Sequence, residues 1–279
     1  MTQIVDGNKI AEQILNRVTK KVAQLKLKKN TPKLGVILVG NDQASLTYVE
    51  KKSQACQRVG IDFVLEKFSA NISTLDLVAK IKNFQKKNKL SGLIIQLPLP
   101  KKINKAEVLN AIKPEIDVDC LTEANLGKLV SGTFDFVPPT PDAILEILKV
   151  YKIDLAGKNV VLVGAGELIG RPLANILIHQ KATVMVTRQS TQELTKILKL
   201  ADIVITGVGK PNLITGKMLK GGCVVIDAGI SFVGKKICGD IEFNSVAKVA
   251  SLVTPTPGGV GPITVAKLIE NTVKTVSNK

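Results

Sequence analysis

Short runs of consecutive apolar residues alternate along the chain with longer stretches in which apolar side chains recur every three or four positions. Runs of that kind suit strands buried on both faces, and the intervening periodicity suits amphipathic helices. The alternation therefore predicts an α/β protein with parallel strands. An opening helix over about 8 to 25 leads into a strand at LGVILVG, residues 34 to 40. The next helix carries Tyr48, with Asp42 or Ser45 placed to cap its N-terminus. Strand FVLEKF (63 to 68), a helix starting near Ser73 and strand GLIIQL (92 to 97) follow, the last stopping at Pro98 and Pro100.

The stretch from 116 to 143 is loop-rich and marked by prolines, which places a domain boundary inside it or just beyond. Residues 142 to 152 read as a linking helix. A second run then gives strand KNVVLVG, a glycine turn, helix RPLANILIHQ, strand ATVMVT, helix TQELTKILKLA, and strands DIVITGV and CVVIDAG. This is the patterning of a dinucleotide-binding domain. A final helix from about Thr264 to Ser277 follows the loop TPTPGGVGP. The expected division is a small α/β substrate domain over 1–139, completed by the helix at 264–279, and a Rossmann-type dinucleotide-binding domain with a parallel sheet over 140–263. A cleft is expected between them.

Composition narrows the class. A length of 279 residues allows one large or two ordinary domains, and 45 % hydrophobic with 22 % charged residues is the balance of a globular protein in water. The longest apolar runs are far too short to span a bilayer, and residues 1 to 20 make a polar amphipathic opening. The expectation is a cytoplasmic protein with no membrane partner. Cys56, Cys120, Cys223 and Cys238 lie far apart with no C-x-x-C pair, so they read as buried thiols rather than metal ligands or disulfides. His179, the single histidine, closes an apparent helix and reads as its C-terminal cap. A histidine-based triad or a multi-histidine metal site does not fit, and no metal is expected.

The net charge of +16 raises the possibility of a nucleic-acid partner. Only Arg17, Arg58, Arg171 and Arg188 are arginines, however, and aromatic residues make up 3 % of the chain. Bidentate base reading and stacking platforms are both poorly supplied, so no nucleic acid is expected. Basic runs such as 26 to 30 and 82 to 89 read as solvated helix faces, whose field would still attract a small anion.

Tyr48 and Lys52 stand four residues apart on the second helix, which puts phenol and amine on one face, while Lys51 lies about 100° round. Gln96 sits where the strand IIQLPLP runs into its turn. A lysine beside a hydroxyl and a neutral amide can act as general base and acid once burial or positive neighbours lower its pKa. A tyrosine and lysine at this spacing also occur on any solvated helix face. In the second domain, Gly164, Ala165, Gly166 and Gly170 follow strand VVLV directly, and Pro172 falls in the first turn of the next helix. Such a turn lets main-chain N–H groups approach a pyrophosphate, although tight glycine connections also serve no ligand at all. Strand ATVMVT ends at Arg188, where a basic residue would meet a ribose 2′-phosphate. That favours NADP over NAD.

Taken together, five stretches resemble the bifunctional methylenetetrahydrofolate dehydrogenase/cyclohydrolase family, in the same order and spacing and over nearly the whole chain. They are VGNDQASLTYVEKK, matching its S-x-x-Y-V-x-x-x-K element; GLIIQLPLP; IDVDCL with its D-V-D segment; VGAGELIGRP at the cofactor turn; and TPTPGGVGPIT with LIENTV. The resemblance implies that Lys52 is the catalytic lysine, with Tyr48 and Gln96 bonded to it or to substrate. It also implies that Asp119 holds the pterin, whose aminopyrimidine edge offers a carboxylate two donors. Asp117 reads as structural. Pro257, Gly258 and Gly259 would line the nicotinamide and folate, and Gly164, Ala165, Gly166, Arg188, Gln189 and Ile230 would bind the coenzyme.

Departures from the family pattern gather on the coenzyme side. Gly164, Ala165, Gly166 replaces Gly-Arg-Ser or Gly-Ala-Ser, so a hydroxyl is lost, and Arg188, Gln189 replaces His-Ser. Pro138, Pro139, Thr140, Pro141 and Ala143 replace Pro-Cys-Thr-Pro and a following glycine, while Ile116 and Cys120 replace the lysine and glycine that flank D-V-D.

The activity implied is oxidation of 5,10-methylenetetrahydrofolate with NADP, NAD being the alternative coenzyme, followed by hydrolysis of the methenyl product to 10-formyltetrahydrofolate. Such an enzyme interconverts one-carbon folates for purine and amino-acid biosynthesis. A polyglutamylated folate would suit the basic surface, and the resemblance implies a homodimer. The main alternative is a cyclohydrolase alone, or a non-catalytic folate-binding relative with an altered coenzyme site. A short-chain dehydrogenase also carries Tyr-x-x-x-Lys but has its glycine turn first, whereas here Tyr48 precedes Gly164. A two-domain dehydrogenase of a shikimate-like acid would leave Gln96 and Asp119 unexplained.

Overall fold

The computed structural model describes residues 2–234 and 236–277. In chain order its elements are β1 (Gln3–Ile4), α1 (Gly7–Leu27), β2 (Lys33–Val39), α2 (Gln43–Val59), β3 (Asp62–Phe68), α3 (Thr74–Asn88), β4 (Gly92–Ile95), α4 (Lys105–Asn110), α5 (Glu123–Ser131), α6 (Pro139–Val150), β5 (Asn159–Val163), α7 (Gly170–His179), β6 (Thr183–Thr187), α8 (Leu194–Lys199), β7 (Ile203–Thr206), β8 (Val224–Asp227), β9 (Ser231–Val233), β10 (Lys236–Cys238), α9 (Phe243–Val246), β11 (Leu252–Val253) and α10 (Val260–Ser277).

The chain forms two compact units. One comprises the stretch up to Ala11, Leu129–Thr133 and Thr140–Thr264; the other comprises Glu12–Lys128, Phe134–Pro139 and the chain from Val265. The opening residues join the first unit because Gln3 and Ile4 pair in parallel with Leu252 and Val253. Helix α10 contributes its first turn to one unit and the rest to the other.

The first unit is built on a six-stranded parallel sheet in the order β1-β11-β8-β7-β5-β6. Strands β7 and β8 are buried at every position, including the polar Thr206 and Asp227 that end them, whereas in the edge strand β6 only Thr187 is buried. Val161, Val204, Val225, Ile214 and Leu219 centre its core. The second unit has a three-stranded parallel sheet, β3-β2-β4, whose Ile37, Leu93 and Ile95 share a buried cluster with Leu77 and Ile81 of α3 and Val108 of α4.

Several expectations need correction. The loop-rich stretch from 116 to 143 also holds helix α5, which the sequence reading lacked, its start held by the Asp117 carboxylate, which accepts from Leu121 N and Thr122 N. The helix expected over 191 to 201 shrinks to α8, preceded by Glu193 with φ +54°. The last helix begins at Val260, four residues early. His179 does not cap its own helix. Its Nε2 donates to Leu129 O and Val130 O, both at 3.2 Å, and so satisfies the C-terminal carbonyls of α5 instead. Three cysteines are buried as expected, but Cys238 is only half-buried, on the β9–β10 hairpin.

Candidate active site

Helix α2 starts where the Asp42 carboxylate accepts from Ser45 N at 2.8 Å, and it ends where Gly60, at φ +79°, returns its N–H to Cys56 O and Gln57 O. Between these caps Tyr48, Lys52 and Cys56 follow one another at intervals of one turn. Lys52 Nζ donates to Gln96 Oε1 at 2.9 Å. Gln96 is itself fixed, its N–H bonded to Ile37 O at 2.9 Å and its Nε2 to Leu97 O at 2.7 Å, ahead of the cis Leu97–Pro98 bond. Tyr48 makes no hydrogen bond to Lys52, and its hydroxyl has no partner among the described residues. Lys51 is exposed, with Nζ 5.8 Å from the centre of the Tyr48 ring.

Burial lowers the pKa of Lys52, while the charge of Asp119 pulls it back up. Burial also raises the Tyr48 phenol and pushes the Cys56 thiol up to about 12, so Cys56 stays neutral beside the amine. The result is a lysine that can shed its proton more readily than one in water.

Asp119 is placed by its neighbours. Asp117 is fully buried and spends both carboxylate oxygens on Leu121 N, Thr122 N and Asn125 Nδ2, at 2.8 to 3.2 Å. It is structural, as its sequence context suggested. Asn271 of α10 donates through Nδ2 to Val118 O at 3.1 Å and Val137 O at 2.9 Å, which fixes the residue between the two acids. The Asp119 carboxylate keeps no hydrogen bond among the described residues, and burial pushes its pKa up against the pull of Lys52. Cys120, where the family pattern has glycine, stands in the left-handed region at φ +57°.

The remaining site residues named from sequence belong to the first unit. Gly164 leaves β5 at φ +110°, and a Cβ on Gly170 would strike Gly164 O, so the turn closes only with glycine at both ends. A Cβ on Gly166 would meet nothing within 4 Å, which leaves that side open. Arg171 Nε donates to Ala165 O at 3.0 Å. Arg188 and Gln189 are exposed at the end of β6; Arg188 N bonds Thr191 Oγ1 at 2.8 Å, and the guanidinium has no partner among the described residues. Ile230 is 42 % exposed beyond β8. Gly258, at φ +96°, accepts from Gly7 N at 2.9 Å, and Pro257 beside it is exposed.

Sequence reasoning passed over Cys56, Asn271 and Arg171. The first is legible as the residue one turn after Lys52. The others act through main-chain oxygens that no residue pattern reveals.

Residues 5–119 match the tetrahydrofolate dehydrogenase/cyclohydrolase catalytic domain, and residues 138–279 match the tetrahydrofolate dehydrogenase/cyclohydrolase NAD(P)-binding domain. A relative from Nautilia profundicola, named bifunctional protein FolD, is 47 % identical over 276 residues, 99 % of this chain and 97 % of that one. The crystal structure of the bifunctional methylenetetrahydrofolate dehydrogenase/cyclohydrolase FolD from Campylobacter jejuni superposes with a TM-score of 0.97 at 39 % identity, covering 100 % of this chain and 99 % of that one. The Trypanosoma brucei enzyme, solved with NADP and an inhibitor, gives 0.95 at 33 % identity over 99 % and 98 %. The chain belongs to the tetrahydrofolate dehydrogenase/cyclohydrolase family.

Proposed function

We propose that the chain oxidises 5,10-methylenetetrahydrofolate with NADP and then hydrolyses the 5,10-methenyl product to 10-formyltetrahydrofolate. The observation that carries this reading is the Lys52 Nζ to Gln96 Oε1 bond on the face that also bears Tyr48, with Asp119 close enough to act on the lysine by charge. Bound NADP supplies the acceptor for the hydride that leaves the bridging carbon. The glycine turn, open at Gly166 and flanked by the free guanidinium of Arg188, fits a dinucleotide phosphate.

Oxidation leaves a methenyl cation and requires no titrating group from the protein, only alignment. Hydrolysis requires one. Neutral Lys52 takes a proton from the water that adds to the bridging carbon, and the ammonium so formed returns that proton to the ring nitrogen as its bond to that carbon breaks, while the remaining hydroxyl releases its proton to solvent and becomes the formyl oxygen. Gln96 holds the amine in place through both transfers, and the Tyr48 hydroxyl is free to bond the substrate. Asp119 accepts from the aminopyrimidine edge of the pterin. Pro257, Gly258 and Gly259 offer close main-chain approach to the ligands, with Ala165, Gln189 and Ile230 lining the coenzyme side.

A net charge of +16 supports a polyglutamylated folate as the form bound. No helix among the described residues is long and apolar enough to cross a membrane. Four free thiols support a cytoplasmic setting, and family likeness supports a homodimer. Following methenyl formation and decay by absorbance, with NADP and NAD supplied separately, tests the reading. Appearance of the methenyl species with NADP and its later decay is the expected result; no formation and no decay would refute it.

A further inference from the structure

Two buried carboxylates hold the loops that leave the C-terminal ends of the first unit's central strands. Asp240 is fully buried. Its Oδ2 accepts from Val208 N at 2.7 Å and Thr206 Oγ1 at 2.8 Å, and its Oδ1 from Lys210 N at 2.8 Å. Asp227, which ends β8, accepts from Gly229 N at 2.9 Å and Ile241 N at 3.2 Å. The two acids interlock: a Cβ on Gly229 would strike the Asp240 carboxylate, and one on Gly239 would strike that of Asp227.

What Asp240 grips is the segment lying on the glycine turn. A Cβ on Gly164 would come within 2.6 Å of Val208 Cγ1, and one on Gly207 within 2.9 Å of Ile169 Cδ1, so residues 207 and 208 pack against both ends of 164–169. The Val208 N–H turns inward to Asp240 while 41 % of the residue stays exposed. Asp240 has no ion-pair partner among the described residues, and its acceptors go to two main-chain N–H groups and one hydroxyl. An unpaired buried carboxylate is a costly way to gain stability that apolar packing supplies more cheaply. Its distinctive effect is to impose one conformation on the loop.

We propose that Asp240 is a positioning residue for the coenzyme: through the main chain of Val208 and Lys210 it sets residues 207–210 against the glycine turn in the conformation that receives the dinucleotide. The inference rests on the NADP-dependent reading above and adds a residue to it that does not touch the ligand. Thr206 acts with it by directing Oδ2.

Calorimetric titration of NADP into wild type, Asp240→Asn and Thr206→Val, with methenyl hydrolysis measured alongside, tests it. An amide at 240 turns its NH₂ towards either Val208 N–H or Lys210 N–H, so Kd and KM for NADP should each rise about tenfold or more. The kcat for hydride transfer at saturating NADP and the rate of hydrolysis should both stay within about twofold. Thr206→Val keeps both main-chain bonds and should raise Kd about threefold. If Asp240→Asn gives no folded protein, Thr206→Val decides alone. Unchanged NADP affinity in the folded variants overturns the proposal, and so does a fall in hydrolysis that tracks the loss of NADP, since that marks general disruption. A wild type that binds no NADP overturns the coenzyme reading itself.

Discussion

Lys52 donates to an oxygen of Gln96 that has no proton to give in return. The 2.7 Å bond from Gln96 Nε2 to Leu97 O fixes the amide's orientation, so Oε1 faces the lysine at 2.9 Å. Lys52 can keep that bond whether charged or neutral, which leaves the neutral amine's lone pair free for a proton from water. With the amine as base, hydrolysis should rise with pH along a limb centred below the ordinary lysine value of 10.5, because burial lowers Lys52. A carboxylate at 96 would favour the ammonium. Gln96→Glu should therefore move the limb to higher pH by about one unit or more. A pH–rate profile whose limb does not move contradicts the role given to the amide.

Asp119→Ala should cost about 2 to 4 kcal/mol in folate binding or transition-state stabilisation, because it leaves the donors of the aminopyrimidine edge unpaired. Titration of folate and steady-state kinetics of both activities would measure it. Affinity and rates within twofold of wild type would mean that another group anchors the pterin.

The free guanidinium of Arg188 predicts a coenzyme-selective effect. Arg188→Ala should weaken NADP by about 1.5 to 3 kcal/mol, the scale of a hydrogen bond to a charged group, and barely change NAD. Equal weakening of both coenzymes would remove Arg188 from the 2′-phosphate.

Much of the fold was legible in sequence because its central strands are buried on both faces. VVLV and VVID read as strands without any alternation, and β7 and β8 are buried throughout. The misses share a different cause. β1 and β11 are two-residue strands that exist only by pairing with each other and with β8, so no local period marks them. α5 depends on Asp117, whose capping bonds reach four and five residues along the chain. His179 serves a helix about 50 residues away. In the site, helical spacing set Tyr48 and Lys52 on one face. The hydrogen bond to Gln96, 44 residues on, follows from β4 lying beside β2. The departure at Cys120 also gains a physical meaning, since its φ of +57° is a conformation glycine adopts without strain.

Asn271 is the test of how Asp119 is held. Asn271→Leu leaves Val118 O and Val137 O without their donor, and stability should fall by about 2 to 3 kcal/mol. Urea unfolding would measure the loss. The KM for folate should rise as well, because Val118 precedes Asp119 directly. A variant as stable as wild type with an unaltered KM would show that the D-V-D segment holds its shape alone.

The central claim is that one amine serves hydrolysis while hydride transfer proceeds without it. Single preparations of wild type and Lys52→Met, assayed for NADP-dependent methenyl formation and for methenyl hydrolysis, test it most directly. The account predicts that Lys52→Met accumulates the methenyl species at a measurable rate and does not hydrolyse it above the spontaneous rate. Hydrolysis at the wild-type rate in that variant would contradict it.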